Sequence, residues 1–111
     1  MMNSETPVQA QLDAYNQQNL DDFVAQYATN VKIYDFPTMK LTLEGRENLR
    51  LFYRDHRFNI PQLHAELLKR IVQGNTVIDH ERVHGVQAEP VYVIAIYEVR
   101  DGLIQNVWFV R

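Results

Sequence analysis

The chain has 111 residues, 46% of them hydrophobic and 23% charged, a balance that supports one core with about 6,400 Å² of folded surface and excludes an unstructured tail. Cysteine is absent, which removes disulfide frameworks, thiolate metal sites and thiol nucleophiles together. A net charge of −3 with eleven Lys and Arg spread thinly argues against a phosphate-tracking surface, so nucleic acid is not expected as a partner.

The start, Met-Met-Asn-Ser-Glu-Thr, has neither the basic nor the apolar segment of a cleaved signal, and a cytoplasmic protein is expected. Residues 1–5 read as a mobile tail on a single domain covering 1–111. Thr6-Pro7-Val8-Gln9 then has the form of a helix start, with Thr6 as cap, Pro7 in the first helical position and Gln9 closing a capping box. Val8, Leu12 and Tyr15 continue at helical spacing to about Asn16. Asn19 caps a second helix whose apolar stripe is Leu20, Phe23, Val24 and Tyr27. Residues 31–36 alternate as a strand, with Val31, Ile33 and Asp35 on one face, and Pro37 ends it. A short strand at 41–43 leads through Gly45 to a third helix over 46–57, carrying Leu49, Phe52, Tyr53 and His56. Four strands follow at 63–73, 76–84, 91–100 and 103–110. Gly74-Asn75 and Asp101-Gly102 supply two-residue hairpin signals. The first turn sets Arg70 opposite Asp79, Ile71 opposite Ile78 and Val72 opposite Val77. At the second, a plain turn and a glycine bulge are both compatible with the sequence, and the choice decides which face Trp108 occupies.

Helices first and hairpin-linked strands later predict an α+β fold, with three helices on one face of an antiparallel sheet. The longest apolar run, 91–97, is far short of the ~20 residues that span a bilayer, so no membrane partner is expected. That run is apolar at both parities, and helices can cover only one face. The other is expected to pair with a second copy, giving a homodimer through the outer sheet face.

Residue supply closes several chemistries. Ser4 is the only serine, and the four glycines are isolated, so neither a serine hydrolase nor a phosphate-binding loop is present. His80 and His84 are four apart on a strand, ~13 Å, too far to share an ion, and no metal is expected. No motif demands a cofactor. Asp35, beside Val31 and Ile33, reads either as a desolvated general base or as the organiser of the turn before Pro37. Lys69, His80, Arg82 and His84 share a face with Leu67, Ile71 and Ile78; that face is a cationic cavity wall if concave and a wet surface if convex. Tyr15, Tyr53 and Tyr97 are core aromatics with a hydroxyl to offer.

The order of elements and three strings, YATNVKIYDFP at 27–37, EGRENLRLFYRDH at 44–56 and YEVRDGLIQNVWF at 97–109, resemble the nuclear transport factor 2-like superfamily, in its SnoaL-like and ketosteroid-isomerase-like branch. The resemblance implies a cone formed by a curved antiparallel sheet around three helices, a small-molecule pocket inside, and commonly a dimer on the outer face. It also implies Asp35 as general base, Tyr53 and His80 as catalytic partners, and Tyr15, Arg82, Tyr97 and Phe109 as substrate contacts. His80 and Arg82 turn toward the cavity on this alignment. The two oxyanion donors of the steroid isomerases fall on Gln11 and Ala95, so steroid isomerisation itself is not implied. The expectation is an isomerase, lyase or cyclase acting on a carbonyl substrate, or else a non-catalytic binding module of the same shape.

Overall fold

A computed structural model describes residues 3–111. Of the tail expected at 1–5, Met1 and Met2 lie outside the described residues and the rest is held in place. Ser4 is buried and its Oγ donates to the Gly74 carbonyl at 2.9 Å. Helix α1 (Glu5–Asn16) therefore starts ahead of the Thr6 cap expected from sequence, with Ser4 in the cap position and its hydroxyl committed to the first hairpin turn. Helix α2 (Leu20–Val24) is capped as expected, the Asp22 N–H donating to Asn19 Oδ1 at 3.1 Å.

Strand β1 (Tyr27–Asp35) begins earlier than its alternation suggests, because Tyr27 pairs with β6 and does not extend the α2 stripe. There follow β2 (Leu41–Glu44), α3 (Arg46–His56), β3 (His64–Gln73), β4 (Thr76–His84), β5 (Val91–Arg100) and β6 (Leu103–Val110). The sheet order is β2-β1-β6-β5-β4-β3. Every neighbouring pair is antiparallel except β1 with β6, which run parallel. The chain leaves β1 through β2 and α3 and returns to its flank only as β6.

The β3–β4 register is the one the Gly74-Asn75 turn predicts, with Arg70 opposite Asp79 and Ile71 opposite Ile78. At the second turn Asp101 and Gly102 both take positive φ, 56° and 76°, as a type I′ hairpin requires. Arg100 pairs with Leu103, the register slips between Glu98 and Val99, and Trp108 comes to lie opposite Ile96 on the outer face. Val8, Phe23 and Leu49 of the helices pack with Val31, Val77 and Val107 of the inner face in one core. Asn16, at the end of α1, binds the backbone of edge strand β3 in both directions, accepting from Ala65 N–H at 2.7 Å and donating to Ala65 C=O at 2.9 Å. Among the described residues no helix is long and apolar enough to cross a membrane.

Candidate functional site

The helices do not fill the concave side of the sheet, and a cavity of about 320 Å³ remains between them and strands β3 to β6. Strand alternation decides what faces it. On β4, Val77, Asp79 and Glu81 are buried, so the odd positions point inward. Asp79 is sealed at 0% exposure, its carboxylate taking a two-pronged bond from Arg70 at 2.7 and 2.9 Å. Glu81, two residues on, reaches the cavity wall at 6% exposure with no hydrogen bond or ion pair to any described residue. Loss of water pushes its carboxyl up to about 7; the charge of Asp79 adds to the shift and Arg70 opposes it.

Facing this acid is a set of phenols. Gln11 ties two of them together, accepting from Tyr27 Oη at 3.0 Å and donating to Tyr97 Oη at 3.2 Å, while the same amide nitrogen also donates to Val8 C=O. Tyr97 Oη accepts a hydrogen bond from the Gln11 amide and so keeps its own hydroxyl proton to give. Tyr15 and Tyr53 line the cavity with hydroxyls bonded to no described residue. Burial raises the pKa of all four rings, which keeps them as neutral donors near pH 7. Phe23 packs among them, its centroid 4.7 Å from that of Tyr53.

The mouth is marked by the exposed lining residues Gln87 and Arg111 and by Arg57, the residue that ends α3. Arg111 lies over the Phe109 ring at 4.9 Å and donates from Nη1 to Asp35 Oδ1 at 2.9 Å. Gly85 brings the β4–β5 loop against the connection before β3. A Cβ there would stand 2.7 Å from the Gln62 carbonyl oxygen, and φ is +97°.

Of the residues singled out from sequence, Tyr15, Tyr53, Tyr97 and Phe109 all line the cavity. Asp35 keeps the inward parity of Val31 and Ile33, but it is the last residue of β1. Its carboxylate, 39% exposed, turns to Arg111 at the rim and is not in the cavity lining. The expectation of a desolvated base at Asp35 is thereby corrected. His80 and Arg82 are corrected as well, because the inward parity of Glu81 sends both to the outer face. His80 is exposed beside Tyr92, and Arg82 holds Glu66 at 2.9 and 2.8 Å. Sequence pattern does not single out Glu81. It sits in an Asp-His-Glu-Arg run that looks solvated, and the available signal was Val77 and Val83 bracketing it at the same parity.

Residues 8–107 match the SnoaL-like domain. No curated protein sequence matches the chain. Among solved structures, an uncharacterized cystatin-fold protein from Novosphingobium aromaticivorans superposes with a TM-score of 0.89 at 24% identity, covering 100% of both chains. An NTF2-like protein of unknown function from Cytophaga hutchinsonii gives 0.81 at 15% identity, over 98% of this chain and 89% of that one. A computationally designed 17-OHP binder gives 0.80 at 16% identity, over 96% and 88%. At these identities the superpositions speak for shape alone. Since the sequence match runs from the first turn of α1 into β6, the chain belongs to the SnoaL-like family, and the superpositions show that it shares its fold with cystatin-fold and NTF2-like proteins.

Proposed function

We propose that the cavity binds a small carbonyl-bearing molecule and moves a proton on it, with Glu81 as the acid–base group. The observation that carries this reading is the Glu81 carboxyl, buried in a cavity wall without a partner among the described residues, where loss of water pushes its pKa up to about 7. A base poised there is about half ionised at neutral pH and accepts a proton far more readily than an ordinary carboxylate. Removal of a proton from the carbon beside a carbonyl places negative charge on the carbonyl oxygen, and the neutral hydroxyls of Tyr97, Tyr53 or Tyr15 can donate to it. Proton return from Glu81 to a different carbon gives isomerisation; expulsion of a neighbouring leaving group gives elimination.

The oxyanion donors of a steroid isomerase are not reproduced. Gln11 spends its amide on Tyr27, Tyr97 and Val8, and Ala95 offers only a methyl. A non-catalytic binding role is the second reading, supported by the likeness in shape to the designed 17-OHP binder. Deuterium exchange at the α-carbon of 2-tetralone in D2O separates the two. The proton-transfer reading requires protein-dependent exchange that disappears in Glu81→Gln and falls in Tyr97→Phe; exchange indifferent to Glu81 leaves only the binding role.

The proposal extends to a homodimer. Tyr34 and Trp108 stack on the outer face at 5.5 Å, beside Ile96 and Ile94 of β5. The Trp108 indole Nε1 is buried there without an acceptor among the described residues. A second copy laid on this face would cover its apolar side chains.

A further inference from the structure

The charges around the cavity are sorted by depth, and their arrangement constrains the ligand more narrowly than the acid alone. Arg57 lines the cavity, yet no described carboxylate pairs with it. Its guanidinium is steered by contacts that leave its charge uncompensated, a bond from Nη1 to the His56 carbonyl at 2.7 Å and the Phe52 ring at 5.3 Å. Arg111 approaches the same mouth, fixed by Asp35 and Phe109. Both guanidiniums bear on the Tyr53 hydroxyl, each favouring its ionised form against the burial that raises its pKa. Among the described residues no cation lines the cavity along the stretch of β4 where Glu81 sits, with Val93 opposite it on β5 and Val83 two residues on.

From this layout we infer that the ligand is an organic monocarboxylate, bound with its carboxylate at the mouth on Arg57 and Arg111 and its apolar body inward toward Glu81. Arg57 is the principal anchor, since it has a full unpaired charge and a planar fork of donors that matches a carboxylate. Arg111 is a second anchor half-neutralised by Asp35, which acts as its positioning residue. Among the described side chains at the mouth, Arg111 is paired with Asp35 and the Arg57 guanidinium alone has no carboxylate partner. One unpaired guanidinium matches a carboxylate and leaves a phosphate dianion under-compensated. The inference rests on the cavity being the ligand site, as in the proposed function, and adds the chemical class and the orientation. Orientation matters to the chemistry, because anchoring the anion at the rim keeps a second negative charge away from Glu81 and presents a carbon, not a carboxylate, to it.

Matched probes test this. Calorimetric titration with 2-naphthoate and its neutral amide, 2-naphthamide, gives an affinity ratio of about 10 or more in favour of the acid if a partly desolvated guanidinium receives it. Arg57→Gln brings the ratio toward 1, Arg57→Lys retains part of it by keeping the charge without the fork, and Arg111→Gln lowers it less than Arg57→Gln. A ratio near 1 in the unaltered protein overturns the inference, as does a ratio indifferent to Arg57. Tighter binding of 2-naphthyl phosphate than of 2-naphthoate overturns the carboxylate assignment. The two readings fail separately. A ratio near 1 alongside Glu81-dependent tetralone exchange sinks this inference alone, and a normal ratio without such exchange sinks the acid–base reading alone. If neither naphthyl probe binds, this inference goes, and tetralone exchange alone decides the acid–base reading.

Discussion

Glu81 couples the cavity to stability through its proton. Its folded-state carboxyl titrates at about 7 against 4.5 for the ordinary group, because burial penalises the charged form. Between those two values the unfolded chain has already released a proton that the folded chain still holds. Stability therefore falls as pH rises through this window, by about 3 kcal/mol in total, and levels off above it. Urea denaturation at pH 4.5 and pH 8 is expected to show this decline in the unaltered protein and to lose most of it in Glu81→Gln, which is also the more stable of the two at pH 8. An equal decline in both proteins would place the titrating group elsewhere. The residue was hard to find because polar residues at inward positions break the pattern that sequence reading uses to tell inside from outside. Residue pattern alone leaves open whether the face of Ile71, Ile78, His80 and Arg82 is inner or outer, and it is the family alignment that turns His80 and Arg82 inward. The aromatic members of the site were legible, since Tyr15, Tyr53, Tyr97 and Phe109 are apolar bodies that the core claims whether or not they have a function.

At the level of elements, the strands β4, β5 and β6 follow the alternation and turn residues closely, and their ends coincide with those read from sequence. Two-residue turns leave little freedom, and Gly74, Asp101 and Gly102 adopt the positive φ those turns demand. What local pattern does not carry is long-range tying. Nothing near Asn16 in sequence indicates that its amide completes the edge of β3, 49 residues away. That contact fixes the end of α1, and with it Tyr15, against the cavity wall. Asn16→Ala leaves a part-buried donor and acceptor of Ala65 unpaired and is expected to cost about 2 kcal/mol. Asn16→Asp keeps the acceptor for Ala65 N–H but sets a carboxylate against Ala65 C=O, so it does not restore the loss. Chemical denaturation of the two variants checks this; an alanine variant as stable as the original would show the bond to be dispensable. Asp79 and Arg70 illustrate the opposite case, a buried ion pair across one hairpin that the turn register does make visible.

For the molecule as a whole, the doubly apolar β5 was the most informative segment. Its inward residues Val93, Ala95 and Tyr97 meet the cavity and core, while Ile94 and Ile96 lie outside beside Trp108. Sedimentation at micromolar concentration is expected to give a dimer, and Ile96→Lys, which sets a charge in the middle of the outer face, a folded monomer. A monomer in the unaltered protein would refute the pairing. The cone, the helical hairpin and the hollow were within reach of the sequence; the depth of each charge was not, since it depends on where strands end and on which rim a side chain turns toward. One consequence lies in the strand order. β6 is the last strand in the chain and yet sits between β1 and β5, so the two halves of the sheet have no shared edge until it arrives. The β3–β4–β5 meander is made of consecutive hairpins and can pair early in folding, but the hollow stays unsealed until β6 inserts between β1 and β5.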